Sequence, residues 1–147
     1  MRISTKISIA LHLLIVMEVF KDKKLTSELL AASTGSNPVI VRNILGNLKK
    51  AGLIDIQRGT GGASLVANPE DVTILQVYQA VDSTNLDDII GIHPNPSMIC
   101  PVGNNINKLL EEPYLKITKA VQDSMEKYTL KDLLNNYQNI CYGKEKK

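Results

Sequence analysis

Residues 25–66 carry the pattern that most restricts the fold of this chain, because helix and turn signals follow one another there at short intervals. Thr26 is suited to cap a short helix over Ser27–Ala32, and Thr34-Gly35 supply a turn directly after it. A second helical pattern begins immediately beyond that turn. The spacing predicts a helix-turn-helix.

The second helix opens at Ser36-Asn37-Pro38, with Asn37 as the cap and Pro38 at the first helical position. Apolar residues then recur at a spacing that buries one face: Ile40, Val41, Ile44, Leu45 and Leu48. The outward face carries Val39, Arg42, Asn43 and Asn47. Lys49-Lys50-Ala51-Gly52 end the helix with positive charge and a glycine. A second helix of this kind normally lies in the major groove of DNA.

A short β-hairpin is predicted next. Leu53–Gln57 and Ala63–Ala67 have the composition of strands, and they flank a glycine-rich tip, Arg58–Gly62, which contains Gly59, Gly61 and Gly62. A hairpin in this place is the wing of a winged helix-turn-helix. The predicted fold is therefore mainly α with a small β wing, followed by C-terminal helices that serve dimerisation.

Charge is unevenly distributed, although the formal net charge of the whole chain is only +2. Residues 1–62 hold nine Lys and Arg against four Asp and Glu, a balance of +5. Residues 63–147 hold eight against eleven, a balance of −3. Because DNA phosphates attract positive charge, this division favours DNA contact by the half that holds the second helix and the wing.

Three side chains are candidates for contacts to bases. Arginine pairs bidentately with guanine and asparagine with adenine, which favours Arg42 and Asn43. Arg58, at the base of the wing tip, is suited to a flanking minor groove. The candidates for phosphate contacts are Arg2, Lys6, Ser36, Asn37, Lys49 and Lys50. Taken singly, these features also fit an ordinary surface helix and hairpin, but in combination they predict a DNA-binding protein.

Four segments resemble a family of small bacterial repressors that includes IscR, NsrR and CymR. They are Met1–Lys6, Leu48–Ile54, Arg58–Leu65 and Asp71–Val81, and the resemblance extends over nearly the whole chain. The wing of that family usually reads Gly-Pro-Gly-Gly-Gly-Tyr, and this chain departs from it at Thr60, Ala63 and Ser64.

The resemblance implies a homodimeric transcription regulator whose C-terminal half senses iron–sulfur status, nitric oxide or thiol oxidants. It implies DNA-reading roles for Arg42, Asn43 and Arg58 and adds phosphate contacts near Ser4 and Thr5. The expected partners are double-stranded DNA with a palindromic operator and a second copy of the chain. We expect a repressor, with activation as the alternative.

The chain is expected to divide into a DNA-binding domain (1–82), a sensor loop (83–101) and a helical dimerisation and tail region (102–147). The irregular stretch Asp82–Ile99 is of a length that often serves function.

Three helices are predicted in the last region. Pro113 separates the first two, which extend over Pro101–Glu112 and Pro113–Tyr128. Thr129 and Asp132 resemble a capping box that opens the third.

Cys100 is the candidate sensor. It precedes Pro101, which suits the first position of a helix, so Cys100 is predicted to occupy the N-cap, where the helix dipole lowers the pKa of its thiol. An oxidant sensor requires such a thiol, and Cys141 is the candidate that would resolve a sulfenic acid as a disulfide. The alternatives are two ordinary cysteines, and a repressor controlled by a small effector near the loop or by a protein partner.

Cofactor and catalytic sites are not expected. Cluster-binding members of the resembled family carry three cysteines in the loop corresponding to Asp82–Pro101, where this chain has one. Cys100 and His93 cannot supply the four ligands of an iron–sulfur cluster or of zinc, and His93 is expected to be a loop residue. No nucleophile–base pair, phosphate loop or metal triad occurs at a recognisable spacing, so an enzyme is not expected.

The apolar run Ile7–Phe20 superficially resembles part of a signal peptide. His12 and Glu18 interrupt it, Lys21–Lys24 follow where small residues should allow cleavage, and it is too short to cross a bilayer. We expect a helix buried on two sides, between its own domain and a partner subunit, with His12 in the core or at that interface. A cytoplasmic protein with reduced thiols and no membrane partner is the resulting expectation.

Overall fold

Helix α1 (Lys6–Val19) lies in the middle of the hydrophobic core in a computed structural model that describes residues 3–57, 59 and 62–143. Its buried side chains are Ala10, Leu13, Leu14 and Met17. Other apolar side chains of the helix are half-buried against the same core: Ile7, Ile9, Leu11, Ile15, Val16 and Val19. The helix therefore packs on its own domain, as predicted, while another part of its apolar surface stays accessible; burial of that part against a partner subunit stays a prediction.

His12 does not belong to this core. Its side chain is exposed, and its Nε2 lies 3.0 Å from the Oγ of Ser33. Of the two predicted places for His12, the core was wrong, because position 12 faces away from the buried stripe, toward the polar end of the next helix; a place at a subunit interface stays a prediction.

The helix-turn-helix follows the predicted capping chemistry. In α2 (Ser27–Thr34), the Oγ1 of Thr26 accepts a hydrogen bond from the amide of Leu29 at 3.2 Å. The left-handed backbone of Gly35, with φ +66°, ends this helix two residues beyond the predicted end. In α3 (Pro38–Lys50), the Oδ1 of Asn37 accepts from the amide of Val39 at 2.8 Å.

Helix α3 packs on α1 and α2 through Val41, Ile44, Leu45 and Leu48, all buried. The prediction that Ile40 is also buried was wrong, since 43% of its surface is exposed. Successive helical residues are rotated by about 100°, so Ile40 lies at the edge of the buried face rather than on it.

The wing consists of β1 (Ile54–Gln57) and β2 (Gly62–Leu65), which pair antiparallel with Ile54 opposite Leu65. Both strands are shorter than predicted, and Gly62 belongs to β2 rather than to the tip. A parallel bridge joins Gly62 to Leu25, and the Ala63 amide donates to the Leu25 carbonyl at 2.9 Å. The wing is thereby fixed to the segment that precedes α2.

Helix α4 (Ile74–Val81) and helix α6 (Leu130–Tyr142) both begin with a capping box, on Thr73 and on Thr129 respectively. The two starts are hydrogen-bonded to each other. The Ile74 amide donates to the Tyr128 carbonyl at 2.9 Å, and the Leu130 amide donates to the Val72 carbonyl at 2.7 Å. The predicted capping box at Thr129 is confirmed, and it is part of a joint with α4.

Helix α5 is continuous over Pro101–Lys127, so the prediction of two helices divided at Pro113 was wrong. A proline inside a helix removes one amide donor and strains the preceding turn, but it does not always end the helix. The carbonyl of Leu109 loses its amide partner at Pro113. Both residues are exposed, so water can reach this part of the helix. No helix in the part of the chain described here is long and apolar enough to cross a membrane.

The segment between α4 and α5 begins as a fixed structure. Tyr78 is buried and its hydroxyl donates to the Thr84 carbonyl at 2.9 Å. A short 3₁₀ turn, Leu86–Asp88, buries Leu86 against Leu75 and Tyr78. Beyond this turn most residues up to Cys100 are exposed, as expected of an irregular loop.

Candidate nucleic-acid interface

The outward face of α3 is the centre of the candidate interface. It carries Val39, Arg42, Asn43, Gly46 and Asn47, and every one of these residues is exposed. Lys49 and Lys50, also exposed, lie in the last turn of the helix. The residues predicted to read bases on this helix are therefore on the side opposite the core, where a groove of DNA can reach them.

Among the described residues, no acidic side chain forms an ion pair with the positive charges on this face. In residues 3–57, 59 and 62–143, ion pairs join Lys21 to Glu18 and Lys116 to Glu112, and none includes a basic residue of α3. The Nε of Arg42 donates to the Pro38 carbonyl at 3.4 Å, which holds the base of its guanidinium group along the first turn. The charge on Arg42 is therefore available to an anionic partner.

A groove with a volume of about 320 Å³ separates α2 and α3 from the wing. Its polar side chains belong to Lys24, Thr26, Ser27, Glu28, Arg42 and Gln57, so two basic residues and one acidic residue line it. Sequence reasoning missed Lys24 and Gln57, because they become neighbours of Arg42 only when Leu25 pairs with Gly62 at the base of the wing. A lysine directly before the bridging residue was the one available signal.

Three predicted contact residues lie outside the described residues: Arg2, Arg58 and Gly61. Gln57, which precedes Arg58, is exposed at the end of β1, and Gly59 has the left-handed backbone of a turn, with φ +89°. The roles assigned to Arg58 and to the tip remain predictions.

Several predicted phosphate contacts also have structural tasks. The Oγ of Ser4 accepts from the Lys6 amide at 3.2 Å. Asn37 uses its side-chain oxygen to cap α3, and the Ser36 amide donates to the Ala31 carbonyl at 3.2 Å. Thr5 is exposed at the start of α1 and caps no amide through its side chain. These residues line the starts of two helices, where amides can also meet phosphate.

Cys100 occupies the N-cap of α5, as predicted, and is exposed. The backbone amides of Gly103 and Val102 lower the pKa of its thiol, because they stabilise the thiolate. Cys141 is also a free, exposed thiol, and it lies in the last turn of α6 rather than in an irregular tail. The predicted redox residues are thus both accessible, on the opposite ends of two consecutive helices.

Comparison with known proteins decides the family. The profile of the Rrf2 family, described as an iron-dependent transcriptional regulator, matches residues 3–136. The chain belongs to the Rrf2 family. Members are transcriptional regulators rather than enzymes, and they bind DNA.

Two relatives have similar lengths to this Rrf2 protein. YwnA of Bacillus subtilis (strain 168), named as an HTH-type transcriptional regulator, is 34% identical over 134 residues, which cover 91% of this chain and 98% of YwnA. A crystal structure of a protein named for DNA binding is 33% identical, with a TM-score of 0.70, and the match covers 88% of this chain and 98% of that one.

A more distant structure shares the fold. The oxidised form of Staphylococcus aureus CymR is 22% identical with a TM-score of 0.65, over 91% of this chain and 96% of that chain. The winged-helix fold predicted from the sequence is therefore confirmed.

The described residues offer no fitting site for the iron of the family description. Among the described residues, no group of three or more His, Cys, Asp or Glu side chains could hold a metal ion. Cys100 and His93 are both exposed loop or helix-start residues without further ligands gathered near them. The donor set of this chain does not fit an iron–sulfur cluster.

Proposed function

We propose that this Rrf2-family regulator is a homodimeric repressor that reads a palindromic operator with α3 and the wing. One observation carries the proposal: the outward face of α3 is exposed, its charges are unpaired among the described residues, and Arg42 on that face lines the groove that α2 and α3 form with the wing. In the proposal Arg42 and Asn43 contact bases in the major groove, and Arg58 enters a flanking minor groove. In this proposal the wing glycines Gly59, Gly61 and Gly62 let the wing tip approach that minor groove.

Phosphate contacts fix the position of the protein on DNA without reading sequence. The proposed set comprises Arg2, Ser4, Thr5, Lys6, Ser36, Asn37, Lys49 and Lys50. Apart from Arg2, which lies outside the described residues, they belong to the start of α1 and to both ends of α3, so they extend on either side of the base-reading positions.

Dimerisation is proposed through the first half of α5. At 27 residues the helix is about 40 Å long. Val121 and Met125, in its second half, pack on the cluster of Leu75, Tyr78 and Leu86. Other apolar side chains of the helix are exposed: Val102 and Leu109 in the first half, the latter to 60%, and Leu115 and Ile117 just beyond it. Apolar exposure on a helix that leaves its own domain supports a partner of the same kind.

This arrangement motivates the proposed division into 1–82 for DNA binding, 83–101 for sensing and 102–147 for dimerisation and the tail. Leu109→Glu tests dimerisation through α5, with Lys108→Glu as the control at a neighbouring exposed position. Analytical ultracentrifugation should find the wild type and the control dimeric and Leu109→Glu monomeric. A monomeric wild type would contradict the dimer.

We propose thiol oxidation at Cys100 as the signal. A thiolate sulfur attacks one oxygen of a peroxide, an S–O bond forms, the O–O bond breaks, and the other oxygen leaves as hydroxide or alkoxide. The thiolate of Cys141, in the same or the other subunit, would then attack the sulfenic sulfur and release hydroxide, giving a disulfide. The exposed, lowered-pKa thiol supports this step, as does the existence of an oxidised form of CymR.

A small polar effector is the second candidate signal. A cavity of about 290 Å³ lies where α4, the following loop and α5 meet. Its lining includes Tyr78, Asp82, Asn85, Asp87 and Gln122. Polar groups that converge beside the dimerisation helix favour such a ligand over an apolar one.

A titration with DNA fragments from upstream of the protein's own gene tests the proposal, first reduced and then after treatment with peroxide. We expect tight reduced binding, loss on oxidation, and unchanged binding by oxidised Cys100→Ser. DNA binding that peroxide does not change would contradict the thiol switch and favour control by a small effector. Binding without any sequence preference, at several salt concentrations, would contradict the DNA-reading assignment itself.

A further inference from the structure

One line of residues faces directly away from the core on α3. Positions 39, 43, 46 and 50 follow one another at intervals of four, three and four, which keeps them on one face of a helix. The opposite face is the buried one, formed by Val41, Ile44 and Leu48. Val39, Asn43 and Gly46 therefore form the part of α3 that meets a bound surface first.

Val39 is the apolar residue at the start of this outward line, and 57% of its surface is exposed. Its backbone is fixed, because its amide donates to the Asn37 cap at 2.8 Å. A β-branched side chain at the second helical position has little rotamer freedom, so its two methyl groups point in a defined direction. The DNA-facing surface thus includes a rigid apolar contact beside the polar side chains of Arg42 and Asn43.

Nothing in the described part of the chain requires a glycine at position 46. It lies inside α3, its backbone is not in the left-handed region, and a Cβ built on it would meet nothing within 4 Å. Glycine inside a helix is less favourable than alanine, because the unfolded chain gains freedom. A glycine in the middle of the outward line leaves room for something that approaches the helix closely.

We propose that α3 contacts the major groove along this line, where Val39 packs on the C5 methyl group of a thymine and Gly46 lets the helix approach the base edges. The thymine methyl is the apolar group that the major groove offers, and a valine has no donor or acceptor for the other groups there. The proposal adds a reader of thymine to the proposed function and rests on it.

The test begins with a site selected by the wild-type protein from a random double-stranded library. Each thymine of that site is then replaced singly by uracil, which pairs identically but lacks the methyl group. We expect wild-type affinity to fall about fourfold at one thymine in each half-site, the effect of removing one buried methyl. Val39→Ala should bind the uracil and thymine forms of that position equally.

Ile40→Ala is the matched control, since Ile40 is also exposed but lies about 100° away around the helix. It should retain the uracil effect. A wild-type protein that selects a site yet shows no uracil effect, or a Val39→Ala variant that keeps the full effect, would overturn the thymine contact while DNA reading stands. Failure to select any site would instead contradict the proposed function.

Gly46→Ala tests the close approach separately. The added methyl should raise the temperature of unfolding and at the same time lower affinity for the selected site by about tenfold, within the range that overpacking a fitted surface costs. Because the variant is expected to fold better than the wild type, weaker binding cannot come from misfolding. Unchanged affinity would show that the helix stays clear of the base edges at position 46.

Discussion

Gly62 approaches Leu25 so closely that a Cβ built on the glycine would lie 2.6 Å from the Leu25 carbonyl oxygen. The backbone of Gly62 is also left-handed, with φ +69°. Gly62→Ala therefore meets both a steric clash with backbone and an unfavourable conformation, and should lower the free energy of unfolding by more than about 2 kcal/mol. Denaturant unfolding measures this loss, and it should be accompanied by weaker DNA binding.

Gly59→Ala is the matched control for this prediction. Gly59 has φ +89°, but a Cβ there would meet nothing within 4 Å. The strain alone should cost about 1–2 kcal/mol. Equal losses in the two variants would mean that contact with Leu25 does not hold the wing in position.

Arg42 and Lys50 should affect DNA binding in different ways. Arg42→Ala should remove about 1–3 kcal/mol of discrimination at one base pair, because a bidentate contact to guanine distinguishes that base from the others. Lys50→Ala should weaken binding to all sequences alike and lower the salt dependence. Competition titrations with single base-pair substitutions and with random DNA separate the effects. Equal losses on specific and random DNA for Arg42→Ala would contradict its assigned role.

Tyr78 should stabilise the start of the α4–α5 loop through its hydrogen bond to the Thr84 carbonyl. Tyr78→Phe keeps the ring and removes the hydroxyl, so the free energy of unfolding should fall by about 1 kcal/mol. Tyr128→Phe, at a position that is 57% exposed, should leave it nearly unchanged. Urea unfolding compares the variants, and equal stability of all three proteins would mean that this hydrogen bond contributes nothing.

The same tyrosine should also make the stability of the protein depend on pH in the alkaline range. Burial, and then the charge of Asp82, raise the pKa of Tyr78 above its ordinary value of 10.0. The unfolded chain therefore releases this proton first, so stability is lost as pH rises from the unfolded pKa through the folded one. When the free energy of unfolding is measured at increasing pH above 10, it should decline less steeply in Tyr78→Phe than in the wild type.

Cys100 should react faster than an ordinary thiol at neutral pH. The amides of Gly103 and Val102 lower the pKa of its thiol, and the thiolate is the nucleophile, so the midpoint of its reaction rate should lie below pH 9.0. Alkylation by iodoacetamide, followed by mass spectrometry of the separate cysteine peptides, gives the rate against pH. In the unfolded protein this midpoint should move upward. A midpoint that does not change on unfolding would contradict stabilisation by the helix start.

The local elements could be predicted because their signals are local. Thr26, Asn37 and Thr129 cap helices through atoms that lie within three residues of them, and Gly35 ends α2 through its own backbone. The outward position of Arg42 and Asn43 follows from the helical period alone. Each of these features depends on a few neighbouring residues that the sequence displays directly.

The errors at His12 and Ile40 concern the orientation of single helical positions, whereas the other differences concern relationships that extend beyond neighbouring residues. Pro113 reads as a helix end, but α5 continues past it, and its second half packs through Val121 and Met125 on residues of α4 and the following loop. The groove beside Lys24 and Gln57 depends on the pairing of Leu25 with Gly62, which are far apart in sequence. The joint between Val72–Ile74 and Tyr128–Leu130 likewise joins segments that no local pattern connects.

That joint sets a condition for exchanging parts between Rrf2 proteins. Helix α4 contacts α3 on one side and α5 on the other, and its first amide is bonded to the chain segment between α5 and α6. A chimera that takes α5 and α6 from another member therefore replaces half of a hydrogen-bonded pair. Because both hydrogen bonds are made by backbone atoms, the joint should form with any residues at 72–74 and 128–130, except that a proline in place of Ile74 or Leu130 would remove an amide donor and separate α4 from the start of α6.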